Sequence, residues 1–325
     1  MSKVTLIMPT YNCASFIRAA LDSVFNQTRP PDEVIVVDDR STDNTSEILL
    51  SYGDRIICIT SLDSGGYASA VRNVGLAAAT GDYIAFLDAD DVWFPNKLAE
   101  QIAALDANPD VQMVYANFNR TDENDNVIHP APNRPHAIEN GRIVETDEYW
   151  EDAFCQLAVR CFMHTSSVVV RRAILDKVGF FDDEMIFYED ADLWMRIVHS
   201  HKVLRVPKIL SSYRARPSSL TKGRRELFVR DSKVLYKKAL KLVAGEPERR
   251  RFVRYAGRLV VASALVTTAY APIELSKWQR IGMLYQALWL DPKLWVNEPH
   301  VWKNAMKLLL CFPIRDIVNG KSCQK

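Results

Sequence analysis

The sequence has almost no net charge: 41 Lys and Arg stand against 40 Asp and Glu over 325 residues. No global field draws it toward nucleic acid, so no nucleic-acid partner is expected. It has few cysteines, at 13, 58, 155, 161, 311 and 323, with no C-x-x-C pair and no histidine cluster near them. That argues against a zinc site and fits free thiols in a reducing compartment. A long hydrophobic run is also missing. The longest stretch, Leu259 to Ala271, is interrupted by Ser263, Thr267 and Thr268, well short of the ~20 residues that span a bilayer. Val4–Met8 is too short for a signal-peptide core, and no cleavage site follows it. Neither G-x-G-x-x-G nor G-x-x-x-x-G-K-S/T occurs, and Gly65-Gly66 has no third glycine at the right spacing. The dinucleotide-fingerprint and P-loop readings are therefore unsupported.

What is present is globular: 48% apolar and 25% charged residues, in a length that holds one large domain or two ordinary ones. The charge is uneven. Lys202 to Arg258 holds 18 basic and 4 acidic residues, which leaves an acidic remainder.

The first ninety residues alternate between two patterns. Val4–Met8 is a short apolar run that reads as a buried strand, and Glu33–Val37, Arg55–Thr60 and Asp82–Leu87 read as further strands. Between them, Ala14–Gln27, a segment through Leu50, and Tyr67–Ala79 carry helical spacing. Thr42 or Asp43 is placed to cap the second helix and Gly81 to end the third. Such alternation predicts an α/β/α sandwich on a mostly parallel sheet. Further on, a helix after Pro95, strands over 110–118, 165–170 and 203–210, and a helix over 192–199 are expected. Residues 120–147, rich in Asn, Asp, Pro and His, read as a long loop or hairpin. From about Thr221 the pattern is helical, first basic, then apolar and Trp-rich.

In a sheet of this kind ligands bind beyond the carboxyl ends of the strands. Three polar clusters fall there: Thr10-Tyr11-Asn12, Asp38-Asp39, and Asp88-Ala89-Asp90-Asp91. Carboxylates gathered at a buried edge repel one another unless a cation intervenes. Oxygen ligands suit Mg2+ or Mn2+, which complete their shells with phosphates and water. A surface turn is the simpler reading of D-x-D alone; its place after a strand makes it more specific. Asp39 can accept hydrogen bonds from a base or ribose, with Asp43 serving the helix cap. Glu189-Asp190 opens a helix, where acidic residues favour the dipole; the sharper reading makes one of them a general base.

With these clusters in hand, the chain resembles the family 2 inverting glycosyltransferases of GT-A fold. The matching text is Ile7-Met8-Pro9-Thr10-Tyr11-Asn12, Ile35 through Asp43, Arg72-Asn73-Val74-Gly75, Phe86 through Asp91, Val178 through Asp182 and Tyr188 through Trp194. The match runs in order over about residues 3–221. It implies a glycosyltransferase domain over 1–221, with a nucleotide-binding half to about 118 and an acceptor half over 119–221. A helical extension follows over 222–325. It further implies that Pro9, Thr10, Tyr11, Asp39 and Arg72 contact the base and ribose of a nucleotide-sugar. Asp88 and Ala89 would lie near the ribose, Asp90 would ligate Mn2+ or Mg2+ at the diphosphate, and Asp190 would be the catalytic base. Two departures stand out. Arg40 replaces the usual glycine after the two aspartates, and Arg216 stands where members often have histidine. Arg216 cannot ligate a metal and is assigned instead to the leaving diphosphate.

The partners implied are a nucleoside-diphosphate sugar, UDP-linked by family habit, and a saccharide or lipid-linked acceptor in cell-surface polysaccharide or glycolipid assembly. Two other classes share parts of this pattern. Nucleotidyl transfer usually needs a Gly- and Lys/Arg-rich loop after the first strand, and Pro9-Thr10-Tyr11-Asn12-Cys13 has neither. A non-catalytic binding module would not need Asp190 opposite the metal. The basic segment reads either as a solvated helical face or as peripheral contact with an anionic membrane. Trp278, Trp289, Trp295 and Trp302 read mainly as core of a helical subdomain, with interfacial anchoring and a homodimer contact as the other uses. The expected location is cytoplasmic, peripheral at the inner face of the membrane.

Overall fold

The computed structural model of the chain describes residues 2–62, 67–130, 152–216, 225–270 and 275–292, with the backbone of 136–139 and 142–145. The first half alternates as the apolar runs predict: β1 (Val4–Thr10), α1 (Ile17–Phe25), β2 (Glu33–Asp38), α2 (Thr45–Leu50), β3 (Ile57–Thr60), α3 (Ala68–Ala78) and β4 (Tyr83–Phe86). Then come β5 (Val92–Trp93), α4 (Lys97–Ala107), β6 (Val111–Thr121) and β7 (Val127–Pro130). A hairpin of β8 (His136–Glu139) and β9 (Arg142–Glu145) stands apart. After it lie α5 (Ala153–Val159), β10 (Val168–Arg171), α6 (Arg172–Val178), α7 (Glu189–Ser200) and β11 (Lys202–Arg214). Three helices end the described chain: α8 (Arg225–Leu242), α9 (Pro247–Ala269) and α10 (Lys277–Leu290).

The large sheet runs β3-β2-β1-β4-β10-β6-β11-β5, with β7 on β6. β1 to β4 pair in parallel. β10 then runs antiparallel between β4 and β6, and β11 returns parallel to β6. The expected parallel sheet thus describes one half, and the other half is mixed. Of the loop or hairpin expected over 120–147, the described residues form hairpins: β6 extends to Thr121 and pairs with β7, and β8 pairs with β9.

Alternate side chains leave opposite faces of a strand. Ile7, Ile35, Ile84 and Phe86 pack with α3, α5 and α7, while Leu6, Met8, Val36 and Ala85 pack with α1, α2 and α4. Gly75 sets how closely α3 lies on the sheet, since a Cβ there would sit 2.7 Å from Ile7 Cγ2. Gly81 does not cap α3, whose C-cap is Ala79. Its N–H instead donates to Thr5 Oγ1 at 2.9 Å. The N-cap of α2 is Asn44, not Thr42 or Asp43, though Asp43 just before it accepts from Thr45 N at 3.0 Å and Ala14 N at 3.1 Å.

The C-terminal helices share this core. Leu235, Tyr236 and Val253 belong to the same buried cluster as Phe154 and Trp194. Among the described residues no helix is long and apolar enough to cross a membrane, and Cys13, Cys58, Cys155 and Cys161 are free. The core reading of the C-terminal tryptophans fails for the two described: Trp278 and Trp289 are 51% and 77% exposed. Trp295, Trp302, Cys311 and Cys323 lie outside the described residues, as do Gly65 and Gly66.

Candidate active site

Parallel pairing places the ends of β1 and β2 side by side, with Thr10 opposite Asp38. Each strand leaves its end through a left-handed residue, Asn12 at φ 49° and Arg40 at φ 62°. Asn12 locks the two turns together: its Oδ1 accepts from Thr42 N at 2.7 Å, and its N–H donates to Ser41 Oγ at 2.9 Å. The two aspartates then take different positions. Asp38 turns into the loop, accepting from Ser41 Oγ at 2.6 Å and Ser46 Oγ at 2.9 Å. Asp39 is buried, and its N–H donates to Thr10 O at 2.9 Å. Tyr11 is half exposed beside it. β1 separates β2 from β4, so those two strand ends lie about 10 Å apart.

At the end of β4 the acidic run divides. Asp88 Oδ1 meets Arg72 Nη2 at 2.6 Å, and Asp90 Oδ2 meets Arg216 Nε at 2.6 Å. Asp91 points inward, accepting from Ser166 Oγ at 2.6 Å and Arg214 N at 3.0 Å. Ser166 Oγ also accepts from Asp88 N at 3.0 Å. His164 Nδ1 stands 3.7 Å from Asp91 Oδ2. Burial acts to raise the Asp88 pKa, yet Arg72, with His164 adding to it, holds that carboxyl below its ordinary value. For Asp91, burial followed by repulsion from Asp90 and Asp88 pushes the pKa well up. Burial lowers His164, which favours the neutral imidazole.

Across the crevice, α7 starts from Tyr188, itself left-handed at φ 63°. Its first turn presents Glu189 and Asp190. Glu189 Oε1 meets Arg72 Nη1 at 2.9 Å. Arg72 therefore ties the end of β4 to the start of α7, and its own side chain is only 4% exposed. It stands one turn before Gly75 on α3, whose close approach to the sheet carries it to the strand ends. Asp190 Oδ1 accepts from Ala191 N at 2.6 Å, and Thr165 Oγ1 reaches Oδ2 at 3.5 Å. Burial, then Asp190, pushes Glu189 up to about 7, and burial raises Asp190 also. A carboxylate held above its ordinary range is a better proton acceptor near neutral pH.

Ligand atoms of Asp88, Asp91 and His164 all lie within 4.8 Å of one another. Two carboxylates and a neutral imidazole suit a divalent ion such as Mn2+, so the residues fit a metal. Asp90, the ligand expected from the D-x-D pattern, is engaged by Arg216 instead.

Residues 5–179 match the model of Glycosyl transferase family 2. This chain is a family 2 glycosyltransferase. WfaP of Escherichia coli, named UDP-Glc:alpha-D-GlcNAc-diphosphoundecaprenol beta-1,3-glucosyltransferase, is 32% identical over 72% of this chain and 86% of its own length. Uncharacterized glycosyltransferases of Rickettsia typhi and Rickettsia prowazekii are 30% and 32% identical, and the chain spans 65% and 62% of their lengths. The fold is that of S. aureus TarS 1-349 in complex with UDP-GlcNAc, with a TM-score of 0.67 at 20% identity over 90% of this chain and 82% of that one. It is also that of the mannosyltransferase PcManGT from Pyrobaculum calidifontis in complex with GDP-Man and Mn2+, with a TM-score of 0.56 at 20% identity, covering 95% and 85%.

Among the residues expected to form the family 2 site, Asp88 pairs with Arg72 and Asp90 with Arg216, Asp190 follows the Glu189 that Arg72 also holds, and Thr10 and Asp39 lie at the neighbouring strand ends. Tyr11 flanks them, Pro9 pairs with Val37 inside the sheet, and Ala89 is buried. The sequence reading gave no role to Asp91, His164, Ser166 or Arg214. Asp91 sat inside the quoted run. His164 and Ser166 come from a segment whose only signal is the polar Thr165-Ser166-Ser167 before an apolar strand.

Proposed function

We propose that the chain transfers a sugar, with inversion, from a UDP-linked donor to a hydroxyl of a lipid-linked saccharide at the inner face of the cytoplasmic membrane. One observation carries this reading: the twin ion pair of Arg72 draws Asp88 from the strand end and Glu189-Asp190 from α7 into one crevice. The relative named for diphosphoundecaprenol-linked acceptors and the fold shared with a UDP-GlcNAc complex support the donor and acceptor classes.

Pro9, Thr10, Tyr11 and Asp39 would hold the base and ribose, and Asp88 with Ala89 the ribose and first phosphate. Asp88, Asp91 and His164, or Asp90 once released from Arg216, would hold Mn2+ or Mg2+. Bound there, the ion supplies positive charge where negative charge grows on the leaving diphosphate. Arg216 supplies a second cation at the same place. Asp190, opposite the diphosphate, takes the proton from the acceptor hydroxyl as that oxygen attacks the anomeric carbon from the far face. One displacement inverts the centre. Glu189, paired with Arg72, positions the turn that carries Asp190.

Asp190→Asn tests the assignment. It is expected to cut UDP-sugar turnover by about 10²–10⁴, while UDP binding by calorimetry stays close to wild type. Turnover retained in Asp190→Asn would remove the proposed base. A screen of nucleotide-sugars by thermal shift, with and without Mn2+, identifies the donor; a shift by none of them would remove the transferase reading of this crevice.

A further inference from the structure

The basic segment noted in the sequence resolves into two stripes. Lys233, Lys237 and Lys241 recur every four residues along α8, and Arg250, Arg254 and Arg258 do so along α9. Residues four apart share a helix face. The helices pack side by side, closest where Gly257 lies under Tyr236, so that a Cβ would sit 2.7 Å from its Cδ1. The two stripes therefore face each other across a groove of about 530 Å3. Its floor is apolar, formed by Tyr236, Leu240, Val253 and Val261, with Leu290 of α10 at one side.

Two of the six reach α10, Arg258 Nε donating to Leu290 O at 2.9 Å and Lys233 Nζ to Gln286 Oε1 at 3.4 Å. Basic neighbours outside the groove are ion-paired: Arg230 with Asp231, Lys238 with Asp182 and Asp192, Arg249 with Asp152 and Glu246. All six groove cations are exposed. Among the described residues, no carboxylate pairs with Lys237, Lys241, Arg250 or Arg254. A second feature adjoins the groove. Trp278, Tyr285 and Trp289 of α10 recur at spacings of seven and four and are all exposed. Gln286 and Leu290, next to them in the chain, line the groove. Exposed Trp and Tyr on one helix face suit the level of lipid headgroups.

We infer that the groove between α8 and α9 is a docking site for an anionic phospholipid of a bilayer surface, its phosphate held between the lysine and arginine stripes and its acyl chains entering along the apolar floor. Clustered cations alone would suit any polyanion. An apolar floor between them, with aromatic side chains at its edge, selects an amphiphile. The inference rests on the reading that the acceptor is membrane-borne and names the surface that would bring the enzyme to it.

The test is co-sedimentation of the full chain with phosphatidylglycerol/phosphatidylcholine vesicles and with phosphatidylcholine alone, alongside UDP binding in solution. Wild type is expected to bind the anionic vesicles only. Each Lys or Arg near an anionic surface contributes about fivefold in partitioning, so Lys237→Gln with Arg254→Gln should lower binding about thirtyfold. Lys202→Gln with Lys208→Gln removes the same formal charge from β11, outside the groove lining, and should change it by less than about threefold. UDP binding and thermal melting should be unchanged in both pairs. Equal binding to neutral vesicles, equal loss in the two variant pairs, or a dimer in solution broken by the groove variants would each overturn the lipid site. If vesicle binding behaves as expected while no UDP-sugar is bound or turned over, the transferase reading falls and the lipid site stands.

Discussion

Replacing Arg72 by methionine isolates the electrostatics of the crevice. Methionine keeps much of the apolar stem and removes the cation that lies 2.6 Å from Asp88 and 2.9 Å from Glu189. Breaking a buried ion pair by removing one partner costs about 3–5 kcal/mol, because a charge is left without compensation. Here one cation serves two carboxylates, which raises the cost, while Asp88 is 27% exposed and regains some solvation. A loss of about 4 kcal/mol in urea unfolding at pH 7 is expected. The cause is tested by the second substitution. If stranded carboxylates carry the cost, Glu189→Gln in the Arg72→Met background restores about 1–2 kcal/mol, whereas Glu189→Gln alone destabilises. The pH dependence follows in sign. Without the arginine both carboxyls are left with burial and mutual repulsion, so their folded pKa values rise above the unfolded ones. The folded variant then holds protons that the unfolded chain releases, and its stability falls as pH rises from about 4 toward 7. In wild type Glu189 already stands at about 7 and contributes in that direction. Asp88, held low mainly by Arg72, works against it, adding stability at neutral pH that is lost on acidification. Additive costs in the double variant, together with a pH-independent difference from wild type, would refute the reasoning.

Three further outcomes are expected. Arg40→Gly should leave stability unchanged or raise it by up to about 1 kcal/mol, since a left-handed L-residue is strained there; thermal melts check this, and a clear loss would show that the Arg40 side chain holds the turn. Gly257→Ala should cost about 1–3 kcal/mol in urea unfolding by overpacking, because the Tyr236 ring it meets is buried and anchored by its hydroxyl to Ala158 O. Mn2+ should raise the melting temperature of wild type and much less that of Asp91→Asn; retention in Asp91→Asn with loss in Asp90→Asn would place the ion on Asp90.

The ends of the parallel strands were legible because chemistry and pattern change at the same residue. Val34 to Val37 are buried apolar residues and Asp38, still buried in the strand, is the first carboxylate; the same change from apolar to acidic falls between Leu87 and Asp88. Sequence could not say which of two adjacent aspartates faces the ligand. Asp38 and Asp39 differ because the strand alternation and the Arg40 turn send one side chain into the loop and the other elsewhere. Glu189 read as a helix-dipole residue, and it does stand in the first turn of α7, but its partner Arg72 lies 117 positions earlier. No local spacing encodes such a contact. The exposed Trp278 and Trp289 were misread because helical spacing of aromatics fits an inward face and an outward face equally well.

The converging carboxylates follow from one topological step. β1, β2 and β4 run in the same direction and end at the same edge. β10 is antiparallel to β4, with Val169 opposite Ala85, so its beginning abuts the end of β4. That register carries Ser166 to Asp88 and places His164 beside Asp91. β6 is antiparallel to β10, and β11 is parallel to β6, so β11 also ends at this edge and delivers Arg214 and Arg216 to Asp91 and Asp90. A uniformly parallel sheet would have put the start of β10, and with it His164, at the opposite edge. The mixed half of the sheet therefore supplies the imidazole, the hydroxyl, the Arg214 amide and the Arg216 guanidinium that an acidic strand end alone lacks, and it lets Asp91 stay buried beside the partly exposed Asp88 and Asp90.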